Sequence, residues 1–80
     1  MRLQALSEII RYHRASLKMD RNAYARNVGM SSKAIKALEQ GAVRNPHIKT
    51  MDKLSAFMGR PKADLWAALR REEARETNGD

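Results

Sequence analysis

The chain has no cysteine in its 80 residues. That excludes a disulfide framework and a thiolate metal site, and it leaves helix packing or association to stabilise so small a domain. Cysteine-free small domains fit a reducing, cytosolic setting. Long apolar runs are also missing. Nothing approaches the ~18 to 20 residues of a membrane span, and the start "MRLQALSEIIRYHR" lacks the apolar stretch and small-residue cleavage site of a signal peptide. A soluble, cytoplasmic chain with no membrane partner is expected. Apolar residues nowhere alternate with period two over a useful length, so no strand is expected. Length allows one domain, because a second core could not be closed with what remained.

Acidic residues are scarce where basic ones are dense. Residues 1–60 carry twelve Arg or Lys against four acids, whereas residues 61–80 carry four against five. A basic surface of this kind suits a polyanion, most often nucleic acid, because Lys and Arg at phosphates release condensed counterions. The plain rival is a solvated, solubilising face. Residues 11–36 favour the first reading, with seven basic residues and one acid. A helix face built only for stability would interleave acids.

Apolar residues recur at steps of three and four. Leu3, Leu6, Ile10, His13 and Leu17 mark one face of a first helix from about Leu3 to Ser16. Asp20 is a good N-cap for a second helix, with Ala23, Tyr24 and Val28 inward and Gly29 at its end. Ser31 caps a third, with Ala34, Ile35 and Leu38 inward and Gly41 as terminator. After the loop "GAVRNPH", the set Ile48, Met51, Leu54, Phe57 and Met58 marks a fourth helix, stopped by "GRP". Leu65, Trp66 and Leu69 mark a fifth. Residues 1–71 are expected to form the domain. Residues 72–80 are expected to be a tail that prolongs helix five before becoming disordered.

The second and third helices carry the functional signal. Two helices cross steeply when a Gly takes the left-handed conformation at the corner and an apolar residue plugs the angle, and Gly29 and Met30 fit those roles. Ala25, four residues earlier, is small where the helices approach most closely. With Ile35 and Leu38 inward, Ser32, Lys33, Lys36 and Ala37 face out as a major groove would meet them.

The stretch "DRNAYARNVGMSSKAIKALEQG", followed by "VRNPHIKTMDKLSAFMG", resembles the Cro and phage-repressor (XRE-like) family of helix-turn-helix DNA-binding domains from about Leu6 to Leu69. The resemblance rests on Ala25, Gly29, Ser31, Ile35, Leu38, the Glu39-x-Gly41 ending and the Arg44-Asn45-Pro46 loop. It implies an all-α, compact five-helix, lambda-repressor-like fold with the helix-turn-helix in helices two and three. It also implies base contacts from Ser32, Lys33, Lys36 and Ala37, with backbone contacts from Arg21, Ser31, Arg44, Asn45 and His47. Lys33 would donate to guanine, Ser32 to several bases, and the Ala37 methyl would touch a thymine methyl. Arg21 stands where the family commonly has Gln, so a phosphate contact survives but a Gln-type bridge to the recognition helix does not. An Arg of helix one often pairs in this family with the Glu closing helix three, here Arg14 and Glu39.

His13 occupies a position where an aliphatic residue is common, and looser packing of helix one is expected there. Leu65, Trp66 and Leu69 are three large apolar residues within five positions. They are expected to exceed what one small core can bury, which leaves surface for a symmetric partner. Neither His13 nor His47 has the Cys or spaced acid of a metal site, and Ser31 and Ser32 have no His and acid placed to make a nucleophile. No cofactor and no enzymatic activity are expected. The reading is a homodimeric, sequence-specific binder of double-stranded DNA, acting as a repressor with recognition helix about 32–40, in a prokaryotic cytoplasm. The alternative is a protein-binding antiactivator or antitoxin that uses the C-terminal helix. Non-specific coating of nucleic acid is disfavoured by the lack of stacking aromatics on the basic face.

Overall fold

The computed structural model describes residues 3–78, with side chains through residue 75. It contains α1 (Leu6–Ser16), α2 (Arg21–Val28), α3 (Ser32–Glu39), α4 (Ile48–Met58) and α5 (Lys62–Asn78), and no strand among the described residues. The helices start where something accepts the orphan amides of a first turn. Asp20 accepts from the Ala23 amide at 2.8 Å, Ser31 from Ala34 at 3.1 Å, and His47 Nδ1 from Lys49 at 3.0 Å.

α1 is capped differently, because its N-cap is Ala5, which has no side-chain oxygen. Glu8 reaches back to the Ala5 amide at 2.8 Å, the local half of a capping box. The other half comes from 65 residues away, where the Glu72 carboxylate accepts from the Ser7 amide at 3.0 Å and from its hydroxyl at 2.6 Å. Arg71 donates to the Gln4 carbonyl, and Arg75 pairs with Glu8 and donates to the Leu3 carbonyl. The C-terminal half of α5 therefore clasps the first residues of the chain.

The core is one cluster in which Leu6, Ile10, Tyr24, Ile35, Met51, Leu54 and Leu65 have almost no exposed surface. α3 packs against α1 and α2, and α5 lies across α1 and α4. Leu65 and Leu69 belong to this core, at 0% and 4% exposure, and Trp66 is half-buried against it. The expected surplus of apolar surface is therefore corrected. Positions i, i+1 and i+4 span an arc that a helix lying in the cradle of two others can bury. Burying each leucine contributes about 1.5 to 3 kcal/mol, so their side chains serve the fold and are closed to a partner.

Other expectations need correction as well. Leu3 precedes α1 and is 66% exposed, while Ile9, overlooked in the heptad-like count, is buried. Leu17 follows the last turn of α1 and is also exposed, and the chain there turns through Lys18 at φ 55°. Ile48 opens α4, where a side chain leans back past the helix end rather than onto the core, and it is 67% exposed. His13 tightens α1 rather than loosening it. Its Nδ1 lies 2.9 Å from the hydroxyl of the fully buried Tyr24, and the rings of His13, Tyr24 and Phe57 meet edge to face with centroids 5.3 to 5.6 Å apart. A buried tyrosine needs a polar partner, which an aliphatic side chain at position 13 could not supply. The segment assigned to the tail is helical to Asn78, and Glu72 and Arg75 hold it to α1. The disorder expected at its end falls on residues 79 and 80, outside the described ones.

Gly41 illustrates how the clasp constrains the sequence. Its φ is +71°, and a Cβ there would lie 3.3 Å from the Glu72 carboxylate. Gly41→Ala is expected to cost about 1 to 2 kcal/mol for the left-handed backbone alone, and more in the native chain because Glu72 must retreat from Ser7. In urea unfolding the extra loss should vanish in a Glu72→Ala background. Equal losses in both backgrounds would show that the contact carries no energy.

Candidate nucleic-acid interface

The geometry of the α2–α3 unit starts at the corner. Gly29 adopts φ 90°, ψ 38°, and the amides of Gly29 and Met30 both donate to the Ala25 carbonyl at 2.9 Å. Ala25 is buried at the crossing and Met30 is half-buried against the core. Lys53, from α4, donates to the Gly29 carbonyl at 3.0 Å, satisfying a C-terminal acceptor of α2 that the sequence pattern did not reveal.

α3 is oriented by its last residue. The Glu39 side chain is 1% exposed, and Arg14 grips it side-on, Nε to Oε2 at 2.6 Å and Nη2 to Oε1 at 3.1 Å. Arg21 adds Nε to Oε1 at 3.0 Å, and Arg11 donates to the Glu39 backbone carbonyl at 3.1 Å. The expected Arg14 and Glu39 pairing is present. The expected loss of a bridge from position 21 to the recognition helix is corrected: Arg21 makes one, to the far end of α3. Burial pushes the Glu39 carboxyl up, but the hydrogen bonds from Arg14 and Arg21 more than offset this, so it titrates below its ordinary range. The hydrogen bond to Glu39 holds Arg14 firmly protonated, against its own desolvation.

One open groove runs beside this cluster, lined by Arg14, Asp20, Arg21, Asn22, Ser32, Lys33 and Lys36. It thus gathers Arg21, Ser32, Lys33 and Lys36 of the expected site. Lys33 and Lys36 are exposed, Ser32 and Ala37 half-buried, and Ile35 and Leu38 on the opposite side are buried. Ser31 is exposed and its hydroxyl is occupied as the α3 cap. Asn45 and His47 line a second, separate hollow with Met30, Ala34 and Leu38, and Arg44 is exposed on the loop before it. His47 is an α4 cap, which accounts for its presence without any ligand. Two polar residues on this side of the α2–α3 unit escaped the sequence reading. Asn22, on the first turn of α2, lines the groove, and Gln40, exposed at the end of α3 and outside the groove lining, follows Lys33 and Lys36 at helical spacing. Both are polar amides without an apolar pattern to flag them, and Asn22 follows the cap that drew attention first.

A short helix anchored on its apolar side and its last carboxylate, presenting Lys and Ser beside a basic groove, is arranged as the second helix of a helix-turn-helix. The helix-turn-helix family model HTH_3 matches residues 10–65. The chain belongs to this family, the XRE or Cro/CI type of DNA-binding regulators. No curated protein and no solved structure gives a significant match. No described helix is long and apolar enough to cross a membrane, and no metal-binding group of His, Cys, Asp or Glu occurs among the described residues.

Glu39→Ala should cost about 3 kcal/mol in denaturant unfolding, the lower end of the ~3 to 5 for breaking a buried pair, because the Arg14 and Arg21 side chains retain 24% and 41% exposure. A loss within error would reduce the cluster to a surface contact. A second expectation concerns acid. Burial, then the charge of Arg60, lowers the His13 value from 6.5, so the unfolded chain takes up its proton first and stability falls as pH drops through 6.5 until the folded value is passed. Glu39, lowered from 4.5, adds a further loss below that pH. Urea midpoints should therefore decline between pH 7.5 and 5.5 in the native chain and hold level over that interval in His13→Phe. A native midpoint that does not move would refute the His13 contribution.

Proposed function

We propose that the chain is a sequence-specific transcriptional regulator, a repressor that binds a palindromic operator as a homodimer, with α3 in the major groove. The observation that carries this reading is the exposed Ser32, Lys33 and Lys36 face of α3, which opens on the basic groove while Ile35, Leu38 and Glu39 hold the helix from behind. Lys33 donates to guanine O6 and N7, Ser32 bonds to a neighbouring base, Lys36 reaches a base or phosphate, and the Ala37 methyl meets a thymine methyl. Arg21, Ser31, Arg44, Asn45 and His47 follow the DNA backbone.

One eight-residue helix reads only a few base pairs, too few to mark a site in a genome, so two-fold repetition supplies the missing specificity. The dimer contact on α5 then centres on Trp66, the large apolar residue of that helix that keeps some exposed surface. Binding without catalysis, in the prokaryotic cytoplasm on nucleoid DNA, follows from the same reading. The alternative, a protein-binding antiactivator or antitoxin, uses the same Trp66 helix, and the burial of Leu65 and Leu69 leaves both readings resting on Trp66.

Base reading and backbone gripping separate in a binding experiment. Lys33→Ala should remove about 1 to 3 kcal/mol of preference for one base pair per half-site and leave weak binding to random duplex largely in place. Arg44→Ala should weaken all duplexes alike and flatten the dependence of log affinity on log salt by about one counterion. Should Lys33→Ala lower operator and random binding by the same factor, α3 is not the reader.

A further inference from the structure

The face of α1 that turns away from Glu39 borders a hollow of its own. Ile9, Tyr12, His13 and Ser16 recur there at helical spacing, whereas Arg11 and Arg14, which hold Glu39, project from the opposite side of the helix. Met58 and Arg60, from the end of α4 and the turn after it, complete an open hollow of about 270 Å³. Arg60 is out of pattern at its position. Gly59 ends α4 at φ 69° and the Arg60 amide donates to the Ser55 carbonyl at 3.2 Å, an ending in which the residue after the glycine commonly packs an apolar side chain on the last turn. Here that residue is an exposed arginine, and its guanidinium makes no hydrogen bond or ion pair among the described residues. His13 spends Nδ1 on the Tyr24 hydroxyl and has Nε2 left over, and the hydroxyl of the 69% exposed Tyr12 is also without a partner among the described residues. No acid lines the hollow. Unused donors thus converge on a floor of Ile9 and Met58 with nothing to balance their charge.

We infer that this hollow binds a small organic anion, a carboxylate on an apolar body, with Arg60 and His13 taking the carboxylate and Tyr12 flanking the body. A guanidinium fork matches a carboxylate, and an aromatic ring covers an apolar body at low entropic cost. The volume lies just under the roughly 300 to 1,000 Å³ of small-molecule sites, so the ligand is small. A protein partner would need about 800 Å² on each side, far wider than this hollow. An inorganic anion would leave Ile9 and Met58 uncovered. The charges facing His13 agree with the choice. Burial and then the like charge of Arg60 lower its value from 6.5, and an anion between them relieves the second of these. Tyr24, from α2, imposes no barrier to protonation, because its hydroxyl can turn from donor to acceptor at Nδ1. Phe57, from α4, meets the imidazole edge to face and carries no charge. The hollow and the basic groove share no lining residue, so this site stands or falls apart from DNA reading.

The test titrates the full chain with sodium benzoate, using benzamide as its neutral counterpart and inorganic phosphate as an anion without an apolar body. The chain has two histidines, and magnetic resonance of their ring protons separates them. His13 lines this hollow, and His47 lines a different one and is the internal control. Benzoate at millimolar concentration should move the His13 signals and raise the pH at which they titrate, while the His47 signals stay in place. By linkage, benzoate should bind more tightly at pH 6 than at pH 8. Benzamide and phosphate should each bind about tenfold more weakly or less. Arg60→Gln should weaken benzoate about tenfold, and Tyr12→Ala about threefold. At pH 8 both variants should keep the native urea midpoint, because the Arg60 backbone is held through Ser55 and the Tyr12 side chain is exposed. Equal responses of His13 and His47, phosphate or benzamide binding as tightly as benzoate, or an unchanged benzoate affinity in Arg60→Gln would each overturn the site.

Discussion

A carboxylate with 1% of its side chain exposed is the constraint around which this domain is arranged. Glu39 closes α3, and an ionised acid there is tolerable only if cations reach it with good geometry, because the desolvation of an unpaired carboxylate outweighs most single contributions to stability. The cations come from two other helices. Arg14 and Arg11 project from α1, and Arg21 from the first turn of α2, so satisfying Glu39 fixes where α1, α2 and α3 lie relative to one another. Apolar packing of Ile35 and Leu38 supplies attraction without direction. The guanidinium forks supply direction and so set the angle at which α3 lies against α1 and α2.

The pairing is also asymmetric in charge. Two guanidinium groups face one carboxylate, so the cluster retains net positive charge at the edge of the groove that Lys33 and Lys36 line. Low-dielectric surroundings extend the reach of such a field, and the groove attracts anions before any contact forms. Tyr24 feels the same cluster. Burial first, and then the Glu39 charge, pushes its hydroxyl up to about 12, with Arg14 opposing, so it stays protonated and serves as a neutral hydrogen-bonding partner for His13. A second tie between helices, made of the His13, Tyr24 and Phe57 rings, thus lies beside the first.

What was legible in the sequence was what local spacing encodes. Asp20 and Ser31 announced their helices, Gly29 its corner, and Ile35 and Leu38 the buried side of α3, because each acts within one or two turns of its own position. Arg14 and Glu39 came into view only through the family resemblance. What stayed hidden depends on partners far along the chain. Glu72 caps α1 across 65 residues, Lys53 satisfies Gly29 across 24, and Arg21 meets Glu39 across 18, and none of these leaves a periodic trace. Helix ends misled for a related reason. Leu3, Leu17 and Ile48 continue an apolar rhythm past the point where the backbone stops keeping it, and Leu65 with Leu69 looked like surplus only because the cradle of α1 and α4 cannot be inferred from α5 alone.

The basic residues divide by chemistry, and the division explains how a cysteine-free chain of this size is held. Arg11, Arg14, Arg71 and Arg75 turn inward to carbonyls and carboxylates, each linking segments distant in sequence, and so take the place that cross-links have in other small domains. A planar fork is well matched to such acceptors and loses little order for each bond it makes. The side chains of Lys33 and Lys36 have no internal hydrogen bond or ion pair among the described residues and remain exposed, as suits a strongly hydrated point charge on a flexible stem. The high net charge therefore overstates the surface available to a polyanion, since much arginine is already engaged in the fold. Arg21 belongs to both groups, bound inward through Nε and facing the groove through its outer edge. The Glu39 cluster and the groove beside α3 meet in that side chain, so a change at Arg21 disturbs both.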